Sequence, residues 1–354
     1  MPNDSLEELY TKVAKKILNE TLHVKKGDAI TVEAWNNGIP FARRVTAEAR
    51  ALGCTAIMVL EDEEAYVEGV RRAPRESVGM MGKNEYGLLA GSDAYIFIPG
   101  QALGVYSKTL KPEERDHSTR YNSSWYEAAD KAGLRGARLT FGYVGKDLAK
   151  LVGKKIEDIV RAQLRASLVD LKGISNATSG VARILTDGAA AELRSGHSTL
   201  KFKLKGELTI DDGVVDINDL KTGNNMAYAL PGLVTKEVDP GSARGKVTIT
   251  DTLTKYGVIH RAELEFKGGR LVSWASREAS TIKKLVEEVP AERRTLKILG
   301  IGFNPAFGFG NGQDRFVYGA VTLGGFGFTT LVKKGTLSVE STKVVDGGSL
   351  THSA

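Results

Sequence analysis

The side chains able to do chemistry are few and scattered. Five histidines, His23, His117, His197, His260 and His352, each stand alone, and no two sit at the short spacings that let a pair share a metal ion. Cys54 is the single cysteine, which excludes an intramolecular disulfide and a cysteine-rich zinc site. It borders the apolar run 55–60 and reads as inert core. Glu237 and Asp239 could act as general acid and base or as displaced metal ligands, and His260, after Tyr256-Gly-Val-Ile, could face the same cleft. A solvated loop before Pro240 and a surface strand histidine are the plainer readings of the same residues. From 295 to 334 there is no histidine, and Asp314 is the only carboxylate.

Gly300-Ile-Gly302 and Gly308-Phe-Gly-Asn-Gly312 invite a nucleotide reading. Pro305 breaks the dinucleotide fingerprint, and no Lys-Ser or Lys-Thr follows as a phosphate loop requires. The glycines are better used for tight turns, with Phe303, Phe307, Phe309 and Phe316 packing around them. No Ser-His-Asp or Cys-His arrangement can be assembled, and Asp211-Asp212-Gly213 is a turn by composition.

The elements that must carry these residues fall into two textures. At 354 residues the chain exceeds one hydrophobic core, so two domains are expected. Ser5 and Glu8 stand at capping-box spacing before Leu6, Leu9, Tyr10, Val13 and Ile17, which recur at helical intervals. Short apolar runs at 29–35, 55–60, 94–99 and 138–143 then alternate with helical segments at 41–52, 61–73, 77–90 and 123–133, the pattern of a parallel sheet covered by helices. A helix follows at 156–168. From Gly196 the period is two, as in Leu200-Lys-Phe-Lys-Leu204, and Gly268-Gly269 marks a hairpin between 264–266 and 271–274. The expected organisation is an α/β domain at 1–150, a helical connection at 151–195 and a β-rich α+β domain at 196–354.

Hydrophobic residues at 42% and charged residues at 26% are the mixture of a globular protein. A net charge of +6 spread over 49 cations and 43 anions is a mixed surface, so nucleic acid is not an expected partner. No apolar stretch approaches the ~20 residues that span a bilayer, the opening lacks a secretion-signal pattern, and a cytoplasmic location is expected.

Several segments, in order, resemble the aminopeptidase T family of metallo-aminopeptidases. They are Leu22-His-Val-Lys-Lys-Gly-Asp-Ala-Ile, Gly196-His-Ser-Thr-Leu-Lys-Phe-Lys-Leu-Lys-Gly206, Leu230-Pro-Gly-Leu-Val234 with Pro240-Gly-Ser-Ala-Arg-Gly245, Leu299-Gly-Ile-Gly-Phe-Asn-Pro305, and Asp314 with Gly319-Ala-Val-Thr-Leu-Gly324. The resemblance implies an N-terminal α/β domain, a β-rich C-terminal domain of aminopeptidase T type, a homodimer or larger homo-oligomer, and two divalent metals held by carboxylates and histidines. Its ligand positions fall at Leu233, Ile298, Thr322 and, for a His-x-Asp pair, Phe328 to Thr330, while a Glu after Asp314 is replaced by Arg315. None of these side chains is a metal donor.

Two functions compete at this point. One is an aminopeptidase T-like protein that has lost its two-metal site, needs no cofactor, and binds a peptide or small molecule or serves a structural role. The other is an active aminopeptidase with zinc, cobalt or manganese on ligands relocated to Glu237, Asp239, His260 and Asp314.

Overall fold

The computed structural model describes residues 4–101, 110 and 112–351, the side chains of 112–119 excepted. The His117 side chain and His352 lie outside the described residues. The chain divides into two compact units, Met1–Leu168 with Gly213–Leu230, and Val169–Asp212 with Pro231–Ala354.

In the first unit α1 (Leu6–Lys16), β1 (Ala29–Trp35), α2 (Ile39–Ala51), β2 (Thr55–Glu61), α3 (Glu63–Arg72), α4 (Lys83–Ala90), β3 (Ala94–Ile98), α5 (Pro112–Lys131) and β4 (Arg135–Arg138) follow one another. The capping box forms: the Ser5 hydroxyl accepts from the Glu8 N–H at 3.2 Å, and the Glu8 carboxylate accepts from the Ser5 N–H at 2.6 Å. The strand expected at 138–143 lies earlier. Thr140–Tyr143 is a 3-10 turn, because the Asn37 side-chain amide donates to the carbonyls of Gly142 and Val144 and draws the backbone out of line with β4.

Two short helices, α6 (Lys146–Val152) and α7 (Ile156–Ala166), close this stretch. The second unit then begins with α8 (Leu171–Ala182), β5 (Ala190–Ser195) and β6 (Ser198–Asp211), before α9 (Ile217–Thr222) and β7 (Met226–Tyr228) return to the first. Strand order there is β2-β1-β3-β4-β7, every pair parallel.

The expected boundary at 150 and a separate helical connection at 151–195 therefore need correction. α7 packs on α1, and Arg161 donates to the Asp4 carbonyl at 2.6 Å, which fixes it in the first unit. α8 instead buries Val181 in the core of the second. The return of 213–230 was not visible as a pattern, since β7 contributes only three residues.

The parallel sheet has two unlike faces. Ile30, Val32, Ala34, Ile96, Ile98 and Ala137 alternate onto one face and are all buried. On the other face the same alternation puts Glu33, Trp35, Glu61, Tyr95, Phe97 and Arg138, because Glu33 pairs with Phe97, Phe97 with Arg138 and Trp35 with Glu61. An aliphatic face is what a helix-covered parallel sheet needs for burial; a face bearing carboxylates and a guanidinium has a different task.

In the second unit every strand pair is antiparallel. After β8 (Leu233–Val238), β9 (Arg244–Thr254), β10 (Gly257–Lys267), β11 (Arg270–Ser276) and α10 (Ala279–Glu287) come β12 (Ile298–Gly302), β13 (Val321–Gly324), β14 (Thr330–Val332), β15 (Thr336–Val339), β16 (Thr342–Asp346) and β17 (Ser349–Leu350). A twelve-stranded sheet runs β14-β13-β12-β8-β6-β5-β15-β16-β17, with β9, β10 and β11 joined through β6. The period-two reading of β6 holds: Leu200, Phe202 and Leu204 are buried, while Lys201 and Lys203 are exposed. Gly268-Gly269 forms the hairpin, with Lys267 opposite Arg270. The chain thus has an N-terminal α/β domain with a parallel sheet and a C-terminal antiparallel β-rich domain.

Candidate functional site

Two places merit building from their residues. The first is in the C-terminal sheet, where β8, β12 and β13 lie side by side. Leu233 pairs with Gly302, Thr235 with Gly300, Glu237 with Ile298, and Thr322 with Gly300. Residues paired directly share a face, so Leu233, Glu237, Ile298, Gly300 and Thr322 share one. A Cβ on Gly300 would stand 2.4 Å from Thr322 Oγ1 and 3.7 Å from Leu233 Cδ1, so both side chains lean over the bare glycine. Leu233 and Thr322 are each 6% exposed, and Ile298 is 44% exposed. Three positions implied as metal ligands share this face, Leu233 and Thr322 over Gly300 and Ile298 two residues along, and what they bring is aliphatic and hydroxyl.

Phe328 and Thr330 do not join them. Thr330 pairs with Leu323, is fully buried, and places its hydroxyl 3.2 Å from the Leu323 carbonyl. Phe328 meets the buried Phe326 ring edge-on at 5.2 Å. Leu331, opposite Thr322, and Thr329, whose Oγ1 lies 3.4 Å from a Cβ built on Gly324, reach the shared face instead. A register shift of one residue thus still supplies no imidazole and no carboxylate.

The candidate acids and bases serve separate local structures. The Glu237 carboxylate accepts from the Glu207 N–H at 3.0 Å, steadying an irregularity where β6 slips register against β8 between Leu204 and Leu208. Gly206 sits in that bulge at φ +98°, a conformation that favours glycine. Lys236, on the opposite face of β8 and 4% exposed, donates to the Gly206 carbonyl and to Asp187, each at 2.5 Å. Asp239 Oδ1 accepts from the Gly241 N–H at 3.1 Å, closing the turn at Pro240. His260 Nδ1 lies 3.2 Å from Asp251 Oδ1 with 70% of its side chain exposed. The Lys333 ammonium at 2.7 Å holds the Asp251 carboxyl below the usual carboxylate range. Asp314 accepts from the Gly310 and Asn311 N–H groups, and Arg315 lies 5.0 Å over the Phe316 ring. Among the described residues, no three His, Cys, Asp or Glu side chains are grouped to hold a metal ion. The donor set does not fit a two-metal centre.

The second place is a chamber of about 650 Å³ on the polar face of the N-terminal sheet. β1, β2, β3 and β4 supply Glu33, Trp35, Glu61, Tyr95, Phe97 and Arg138 as its floor, and α3, α4, α5 and 73–80 supply further lining residues, among them Tyr66, Met80, Glu85, Tyr121 and Trp125. It lies toward the carboxyl ends of the parallel strands, where ligands of open α/β sheets bind.

Its electrostatics are set by three carboxylates among eight aromatic rings. The Tyr95 hydroxyl donates to Glu33, and the Tyr121 hydroxyl donates to Glu85. Burial pushes the Glu33 carboxyl up, the charges of Glu61 and Glu85 push it further, and the Tyr95 and Trp35 side chains work against the rise. Burial also raises Glu61, with Glu85 and Asp62 adding to it. The Tyr95 and Tyr121 hydroxyls are driven up by burial and by the carboxylates they serve, so both remain donors. Arg138 lies over Phe97 at 5.1 Å and Tyr228 at 5.9 Å, a stacked cation on the same floor.

None of these chamber residues stood out as a site in the sequence. The available signal was a lone carboxylate inside an apolar strand, Glu33, with Glu61 and Trp35 at strand carboxyl ends; only the pairing of β1 with β2 and β3 puts them on one floor.

With the geometry in place, the chain can be set beside known proteins. Wild-type AmpT from Thermus thermophilus matches it with a TM-score of 0.68, over 98% of this chain and 100% of that one, at 12% identity. The fold is that of AmpT. No family model matches the chain, and no curated protein does. The likeness is one of architecture, an α/β domain followed by a β-rich domain.

Proposed function

We propose that the chain keeps an aminopeptidase T-like fold without two-metal peptide hydrolysis, and that it binds a small molecule. One observation carries the reading. At the face where β8, β12 and β13 meet, Leu233 and Thr322 lean over Gly300 and Ile298 lies two residues along the same face, and these are side chains that hold no divalent cation. The relocated set, Glu237, Asp239, His260 and Asp314, is spent on a bulge, a turn, an exposed contact with Asp251 and a glycine loop. The chamber on the N-terminal sheet supports binding, having the volume and aromatic lining that small-molecule sites use.

The test is to incubate the protein with zinc, cobalt or manganese, desalt it, measure metal by mass spectrometry, and assay release of amino acids from short peptides. Substoichiometric metal and no turnover are expected. Stoichiometric metal accompanied by turnover would overturn the reading.

A further inference from the structure

The chamber's chemistry narrows its ligand. Among the described residues, three carboxylates, Glu33, Glu61 and Glu85, face one space with one guanidinium, Arg138. That guanidinium is already stacked on Phe97 and Tyr228, leaving the acidic side in excess. Tyr95 and Tyr121 orient two of the carboxylates without neutralising them. Rings line the same space, and a ring face attracts a cation through its quadrupole while offering apolar area to a hydrocarbon body. Acid and aromatic surface together fit a positively charged head on an apolar stem. Neither a metal ion nor an anion fits as well: the described carboxylates are not grouped for metal coordination, and an anion would meet three like charges.

We propose that the chamber binds an organic amine in its cationic form, the ammonium head seated against the Glu33, Glu61 and Glu85 carboxylates and the hydrocarbon body against Trp35, Tyr66 and Trp125. Bringing a cation to carboxylates partly withdrawn from water relieves their mutual repulsion, so the head group contributes more here than at a fully exposed acidic patch. The apolar body accounts for the volume, since an ammonium alone would leave most of the 650 Å³ to water. Met80, 64% exposed among the lining residues, belongs to the outward side of the chamber.

The proposal rests on the binding reading above, but its test fails separately from the metal test. Titration calorimetry on the full chain compares phenethylamine with 3-phenylpropionate, which has a similar body and the opposite charge. The amine is expected to bind and the acid to bind at least about tenfold more weakly. Glu33→Gln keeps the side chain's size and its contact with Tyr95, and should weaken the amine by about tenfold or more. Glu61→Gln, at the end of an edge strand, repeats the test should the first variant unfold, as circular dichroism would reveal. Binding of the acid as tight as that of the amine, no binding of the amine, or amine affinity unchanged in both folded variants would each overturn the assignment. Metal-dependent peptidase activity would retire the non-hydrolytic reading and leave this one standing.

Discussion

Lys236 gives the sharpest test of the claim that the polar side chains of β8 are structural. It occupies a core-facing position, 4% exposed, between the buried Val234 and Val238, and donates at 2.5 Å to the Gly206 carbonyl in the β6 bulge and to Asp187. Replacing it by Met keeps an unbranched stem of similar length and removes only the ammonium. Two effects then oppose each other. The loss of a desolvated charge is favourable, and such replacements of buried ions are at times neutral or stabilising. Against it, the charge-assisted hydrogen bond to the Gly206 carbonyl is lost, and a bond of that kind contributes about 1.5–3 kcal/mol. The Asp187 side chain is 65% exposed and re-enters water, so the ion pair adds little to either side. The bulge has two ties to β8, through Lys236 and Glu237, and the replacement removes one of them. The lost hydrogen bond should win, with a net loss of about 1–3 kcal/mol. In urea, with a slope of about 2–3 kcal/mol per molar, the midpoint should fall by roughly 0.3–1.5 M. Asp187→Asn, as a control, should leave the urea midpoint close to that of the parent, since its exposed carboxylate is screened by water. A Lys236→Met protein as stable as the parent, or more so, would refute the reasoning.

Gly300→Ala should destabilise by about 1–3 kcal/mol, because its Cβ would stand 2.4 Å from Thr322 Oγ1; adding Thr322→Ala should recover most of the loss in the same urea titration. Asp28 is pushed up by burial, but the Lys25 N–H and the Arg135 guanidinium, 2.7 Å away, overcome this and hold it below its ordinary value. Its contribution is therefore present above the unfolded value and lost as pH falls below about 4, and Asp28→Asn should flatten that acid limb. Glu33 has the opposite sign. Its raised folded value means that the unfolded chain releases a proton the folded chain keeps, so stability falls as pH rises from the ordinary value to the raised one. Glu61 titrates in the same direction, and Glu85, Tyr95, Tyr121 and Arg138 face the same chamber. Glu33→Gln should gain stability over the parent at neutral pH and not at acid pH; a parallel pair of pH profiles would contradict this.

Residue types and their spacing determined much about this protein. The capping box at Ser5 and Glu8, the alternation of apolar runs with helical segments, the period of two in 200–204 and the Gly268-Gly269 hairpin are local signals, because a helix face or a strand pleat repeats within a few residues. The lack of paired histidines was equally legible. Tertiary structure alone decided the rest. Leu233 and Thr322 meet over Gly300 with Ile298 on the same face, while Thr330 turns to the core, because antiparallel register sets which side of the sheet each residue occupies. Residues 213–230 rejoin the first unit through a three-residue strand too short to announce itself. Glu33, Glu61, Glu85 and Arg138 are far apart in the chain, and each reads singly as an ordinary charge. Parallel pairing of β1 with β2 and β3, and of β3 with β4, gathers three of them on one floor, where α4 brings the fourth, since distance in the folded protein follows strand order rather than sequence separation.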